Sequence, residues 1–289
     1  MSLTVTQSST ERTAHSYSGS LYLLPSDDAE RQSRLLKQHQ LYTRLFSGRL
    51  IFPPVSLSSN EEILDIGTGP GAWLCDVRSQ LPESTQIYGV DIESRLFPSY
   101  KDISANVHLS VCSATSLPRY WSSKFALVHQ RLLICAYTRD QWTKVVNEMY
   151  RVLAPGGYAQ LIEFCPDYVS GPKTASHVLF LEEFFRRKGL LLRCGAHIAD
   201  MLENAGFVDV TSEDVVMKLG KCAGQDGVAA RNATFGAWKG TKDAVMKVGG
   251  MGYFATGEDF DKVLDDLAEE WDLVEGSHTL LKVVYGRKP

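Results

Sequence analysis

Paired cysteines are missing from this chain. Its six cysteines (Cys75, Cys112, Cys135, Cys165, Cys194, Cys222) are scattered, and no two stand as Cys-x-x-Cys. Neither a zinc site nor a disulfide frame is supported, and no metal cofactor is expected. Cys112 ends the apolar run VHLSVC and Cys135 lies inside RLLICAY, the setting of buried free thiols in a reducing cytoplasm. Long hydrophobic runs are missing too: none reaches the roughly 20 residues of a membrane span. The opening stretch MSLTVTQSSTERTAHSYSGS is rich in Ser and Thr and has no apolar h-region. It reads as a disordered arm, residues 1–16, and not as a signal peptide. Basic excess is also absent. A net charge of −4 argues against tracking a phosphate backbone, and FFRRKG at 184–189 is a short basic run of the kind that ends a solvated helix. Neither nucleic acid nor membrane is expected as a partner.

What is present is alternation. Residues 28–48 give a helical pattern with Leu35, Leu41, Tyr42, Leu45 and Phe46 on its apolar side, stopped by FPP at 52–54. EILDI (62–66), QIYGVDI (86–92), VHLSVC (107–112), FALVHQ (125–130) and YAQLIEF (158–164) read as strands. Helices are expected over 71–81 and over 139–153, the latter with Trp142, Val145, Val146, Met149, Val152 and Leu153 in register. Strands separated by helices imply a parallel sheet covered on both faces. Further on, 174–188, 195–205 and 258–271 look helical. AGFVDVTSEDVVMKLG feeds a sixth strand, the Gly-rich stretch 219–252 breaks the pattern, and TLLKVVYG (279–286) closes the chain as a strand.

The chemistry starts at ILDIGTGPGAW, residues 63–73. A loop between a strand end and a helix start is where wound sheets bind ligands, and Gly67, Gly69 and Gly71 let a ligand lie against bare backbone. No Gly-Lys-Ser/Thr follows, which excludes a P-loop, and the spacing G-x-G-x-G departs from the dinucleotide G-x-G-x-x-G. Asp65, two residues before the first glycine, would repel a pyrophosphate and suits an ammonium. Asp91 ends the second strand, where a carboxylate accepts hydrogen bonds from a ribose diol. S-adenosylmethionine satisfies both ends. A helix cap for Asp65 and a turn for Asp91 are the structural alternatives, and a dinucleotide oxidoreductase is disfavoured by Asp65 and by the spacing.

ILDIGTGPGAW, YGVDIE, FALVHQRLL and RVLAPGGYAQLIE resemble the successive motifs of class I S-adenosylmethionine-dependent methyltransferases, over the chain from about residue 60 onward. YLLPSDDAERQSRLLKQHQLY (22–42) with VHQRLL and PGGYAQLIE is similar to fungal secondary-metabolite methyltransferases, a group that includes gliotoxin-type thiomethyltransferases and methyltransferase-like regulators. The resemblance implies an α/β, Rossmann-like fold: a seven-stranded, mostly parallel sheet with helices on both faces and the last strand antiparallel. It also implies an N-terminal helical cap (17–55) on a domain spanning 56–289, with substrate-lid insertions near 165–200 and 219–256. Carried across, Asp65, Gly67, Gly69 and Gly71 would hold the methionine end, Asp91 the ribose, and Ile92, Ser113 and Ala114 the adenine. Serine at 113 departs from a common Asp, and so does Ala126 in FALVH.

Methyl transfer from a sulfonium needs alignment and a site that excludes water, and a base only where the nucleophile keeps its proton. His129 is a candidate base or a cofactor contact. Glu163 is a second candidate base, with helix capping or pairing to Arg131 as its structural alternatives; His177 and His197 sit on lid helices. Tyr17 and Tyr22 on the N-terminal segment, Tyr22 also on the cofactor side, and Tyr168, Phe180, Phe184, Trp238, Met251, Tyr253 and Phe254 are placed to enclose an acceptor; GGMGYF (249–254) is the candidate lid. No Asn-Pro-Pro-aromatic motif follows the fourth strand. The expected activity is methylation of a small aromatic or sulfur-containing molecule, O slightly ahead of S, by a cytoplasmic monomer or homodimer. The alternative is a regulator working through protein partners, which would lack an enclosed apolar cavity at the site.

Overall fold

The computed structural model describes residues 28–57, 60–99 and 103–289. The arm, Tyr17 and Tyr22 lie outside the described residues. Five apolar runs form parallel strands: β1 (Glu62–Ile66), β2 (Gln86–Asp91), β3 (Val107–Val111), β4 (Phe125–Arg131) and β5 (Leu153–Val169). β6 (Val208–Lys218) and β7 (His278–Arg287) complete one seven-stranded sheet in the order β3-β2-β1-β4-β5-β7-β6. β7 runs antiparallel to both of its neighbours. The order turns around between β1 and β4, which opens a crevice at their C-terminal ends.

Parallel neighbours need crossover segments, and helices supply most of them. α1 (Asp28–Leu45) precedes the sheet and α2 (Ala72–Arg78) follows β1. α3 (Arg139–Val152) starts at a capping box, in which Thr138 accepts from the Gln141 backbone and the Gln141 side chain accepts from the Thr138 N–H. Its apolar stripe, Trp142 to Val152, packs on the sheet face carrying Leu64, Ile66 and Val128. The opposite face, Ile63, Ile87 and Leu127, packs against Trp73, Leu74 and Val77 of α2. The APGG stretch lies inside β5, not before it. Phe125 pairs with Leu153 and Leu127 with Tyr158, so 154–157 form a bulge there.

The Gly-rich stretch proves to be mostly helix: α4 (Pro172–Lys188) and α5 (Ile198–Asn204) are followed by α6 (Gly224–Lys239), α7 (Lys242–Met246) and α8 (Gly257–Leu273). Close packing explains the glycine at 236. A Cβ there would sit 3.1 Å from the Cδ of Arg34, so the bare backbone lets α1 rest against α6.

Candidate active site

The loop from β1 to α2 is built on left-handed glycines, with φ of 72° at Gly67, 52° at Gly69 and 74° at Gly71. The Gly67 and Thr68 N–H groups both donate to the Val90 carbonyl, at 2.8 and 3.0 Å, and fold the loop back onto β2. Gly69 N–H donates to Oδ2 of Asp91 at 2.9 Å, and Glu93 N–H to Oδ1 at 3.2 Å. Asp91 is therefore held rigidly beside the loop. Gly67 has a second constraint: a Cβ there would lie 2.9 Å from the Leu133 side chain.

This loop forms one side of a cavity of about 270 Å³. Asp65, Gly67, Gly69, Asp91, Ile92, Ser113, Ala114 and His129 all line it. Gly71 does not; it sits at the start of α2, where its N–H donates to the Thr68 carbonyl. Ser113 turns its hydroxyl to Thr115 Oγ1 at 2.8 Å, a local turn. Asp65 is 4% exposed. Burial pushes its carboxyl up to about 7, against the lowering effects of Thr68 and the Arg131 guanidinium, while Asp91 adds to the rise. A buried carboxyl that costs this much to ionise is a seat for a cation.

His129 stands level with Asp65 on one side and with Gln160 on the other. Residues in register share a sheet face. Gln160 Oε1 accepts from the Phe52 N–H at 2.6 Å, which fixes the amide, so its Nε2 donates to the Leu50 carbonyl and to Nδ1 of His129, at 2.9 and 3.0 Å. The imidazole stacks on Trp73 with centroids 4.1 Å apart. Burial, then Arg131 and His39, hold its pKa well below 6.5. The neutral ring accepts at Nδ1 and so carries its hydrogen on Nε2, which is buried without a protein partner. Of the two roles expected for His129, base and cofactor contact, this geometry favours the second, because the nitrogen left over is a donor.

Glu163 is corrected. It does not line the cavity; its Oε1 accepts from the Leu133 N–H at 2.8 Å. Leu132, one residue earlier, takes a left-handed φ of 59°, a strained conformation for a leucine. Glu163 thus holds the turn after β4. Burial pushes it up to about 8. Arg131 bonds to His39 instead, at 2.8 Å from Nη2 to Nδ1.

Most of the lid residues are elsewhere as well. Phe180 packs on Phe184, Tyr253 and Phe254, with Phe254 4.9 Å away between centroids, inside the junction of α4 with 249–254. Met251 is buried and Tyr253 half exposed, and neither reaches the cavity. Tyr168 stacks on Trp271 and accepts from Trp238 Nε1 at 3.3 Å. Of the residues expected to enclose an acceptor, Trp238 lines the cavity; the rest of that wall comes from Arg34, His39 and Tyr42 of α1, the 132–137 turn, and Ala233, Thr234 and Ala237 of α6. The signals for α1 were a histidine in phase with Leu35 and Tyr42, and for α6 the small residues Ala233 and Ala237 four apart.

The cavity fits S-adenosylmethionine on its own chemistry: a carboxyl for an ammonium, a carboxylate at the end of β2 for a diol, and an unpartnered buried N–H at His129. Among the described residues no group of three His, Cys, Asp or Glu could hold a metal ion, and no described helix is long and apolar enough to cross a membrane.

Comparison with known proteins agrees. A "Methyltransferase domain" family matches residues 63–157. The N-methyltransferase sirN of Leptosphaeria maculans is 30% identical over 93% of this chain and 95% of its own. The N-methyltransferase verN of Clonostachys rogersoniana is 32% identical over 69% of this chain and 70% of its own. Among solved structures, the methyltransferase bound to its Trm112 activator from Haloferax volcanii superimposes with a TM-score of 0.53 at 13% identity, covering 91% of this chain and 97% of that one. Phosphoethanolamine N-methyltransferase 2 of Haemonchus contortus gives 0.52 at 15% identity, over 91% of this chain but 57% of that longer one. These two matches speak to the fold. The chain belongs to the class I S-adenosylmethionine-dependent methyltransferases, among those of fungal secondary metabolism.

Proposed function

We propose that the chain methylates a nitrogen of a small-molecule acceptor seated between α1, the 132–137 turn and α6. The observation that carries this reading is one continuous cavity, from the glycine loop to α6, with no ionised base at the acceptor end among the described residues. Glu163 faces the turn, His129 offers a hydrogen, and burial keeps the Cys135 thiol, at about 12, and the Tyr137 phenol protonated. A neutral amine attacks with its lone pair before losing a proton, whereas a phenol or alcohol is poorly nucleophilic until deprotonated. That sirN, verN and the 28%-identical gliN of Aspergillus fumigatus are named N-methyltransferases supports the same choice over O or S.

Bound S-adenosylmethionine supplies an activated methyl group on a positive sulfur. The protein's work is then alignment and exclusion of water. Asp65 would hold the ammonium, Asp91 the ribose, Ile92 and Ser113–Ala114 the adenine. Leu132, Leu133, Ile134 and Phe164 give the walls an apolar character, and the enclosure favours an enzyme over a regulator with a closed or surface-exposed site. The test is transfer of labelled methyl from S-adenosylmethionine to size-matched amines, phenols and thiols. Amines are expected to accept. Faster transfer to phenols, rising with ionisation of a protein group, would overturn the nitrogen assignment.

A further inference from the structure

Arg131, at the end of β4, lines the cavity, yet no carboxylate among the described residues lies within ion-pair distance of it. Its Nη2 donates to Nδ1 of His39 at 2.8 Å, and His39 Nε2 donates to Oδ2 of Asp76 at 2.8 Å. The chain Asp76–His39–Arg131 fixes the tautomer, because an imidazole that accepts at Nδ1 must carry its hydrogen on Nε2. His39 is 5% exposed and Asp76 stands at the surface. The guanidinium is therefore aimed by a neutral acceptor and leaves its charge for something else. The opposite charge in the cavity is Asp65, which Arg131 influences through space. The other cavity guanidinium, Arg34, packs over Gly236 and acts on Cys135, at the acceptor end.

A carboxylate and a guanidinium in one cavity mirror the ammonium and carboxylate of an amino acid. We propose that Arg131 binds the α-carboxylate of the methionine end of the cofactor, and that His39, anchored by Asp76, is the residue that positions it. The inference rests on the cofactor reading and extends it. It ties α1, α2 and β4 to one end of the ligand through side chains that nothing in the glycine loop announces. A guanidinium–carboxylate pair is charge-assisted, so removing either half should cost on the order of 10–100-fold in affinity.

The test is calorimetric titration of S-adenosylhomocysteine and of its decarboxylated counterpart, which lacks only the carboxylate. Wild-type protein should bind the first about 10–100-fold tighter. Arg131→Gln should bring the two affinities within about threefold of one another, by weakening the carboxylated ligand alone. His39→Ala should narrow the ratio in the same way. His39→Gln should restore it, because an amide also accepts from Arg131 and donates to Asp76. A merely structural role for His39 would weaken both ligands equally and leave the ratio intact. Equal affinities in the wild type, or an unchanged ratio in Arg131→Gln, overturns the inference while leaving the cofactor reading in place. Failure of both ligands to bind wild-type protein overturns both.

Discussion

Cofactor binding should be coupled to a proton at Asp65. Burial raises this carboxyl to about 7, with Asp91 adding to the rise and Thr68 and Arg131 opposing it. An ammonium needs the ionised form, so binding lowers the pKa and expels whatever proton is held. About 0.9 proton should leave at pH 6 and about 0.5 at pH 7. Affinity should rise with pH over that interval, by about fivefold from pH 6 to pH 7. The ligand's own α-amino group stays charged there, its pKa being about 7.7 or above. Burial moves the cavity's histidines, its tyrosines and Cys135 away from neutral pH. His39 and His129 are held below their ordinary value, and Tyr42, Tyr137 and Cys135 are pushed above theirs. Titration calorimetry with S-adenosylhomocysteine in buffers of different ionisation enthalpy reads the proton count directly. Asp65→Asn should abolish the release and weaken binding by about 1.5–3 kcal/mol, the range for a hydrogen bond to a charged group. No proton release at pH 6, with normal affinity, would show that Asp65 does not meet the ammonium.

Three further outcomes follow from the same site. Glu163 holds a proton in the folded state up to about pH 8, where the unfolded chain releases it near 4.5, so the native state binds more protons across that window and stability falls as pH rises through it. Glu163→Gln should flatten the melting temperature between pH 5 and 8 and keep methyl transfer; loss of transfer with an intact fold would return Glu163 to the chemistry. His129→Gln should weaken cofactor binding by about 0.5–1.5 kcal/mol without altering the shape of the pH–rate profile above pH 6, whereas disappearance of an acidic limb would show that the ring takes a proton. Ala233→Trp should fill the wall at α6, lowering transfer on the order of 10-fold or more while leaving S-adenosylhomocysteine affinity nearly unchanged. Equal losses in both would assign that wall to the cofactor.

The sheet and its glycine loop were legible because their signals are local. An apolar run of five residues, an acid, and glycines whose positive φ values need no side chain lie within a dozen positions of each other, from Ile63 to Trp73. Asp91 was legible for the same reason: it ends a strand, and the structure hands it the Gly69 N–H. The carboxyl of Glu163 and the imidazole of His129 were placed on the right strands, but the hydrogen bonds they make do not favour proton abstraction. Being near the C-terminal end of a strand says nothing of which side chain an atom meets. Glu163 met the backbone of a strained turn, and His129 met an amide whose orientation was set by Phe52, more than a hundred residues away.

The acceptor wall was illegible for a deeper reason. It arises where α1 lies against α6, two segments separated by about two hundred residues, and Gly236 leaves room there for the Arg34 side chain, a role that is spatial. Read along the chain, Gly236 is one more helix-weakening residue in AARNATFGAW, and the stretch looks like a break. In space it lets the stem of Arg34 pass 3.1 Å from where a Cβ would be, which brings His39 and Tyr42 of the same helix over the cavity. The aromatic residues that looked like a lid did what aromatic residues at helical spacing usually do. Phe180, Phe184 and Phe254 filled a core, because burying rings against one another removes apolar surface from water whether or not a ligand is present. On the α6 side of the acceptor's space the small side chains Ala233, Thr234 and Ala237 stand beside Trp238 and leave room for a guest, while Phe180, Phe184 and Tyr253, which were sought there, do not line it.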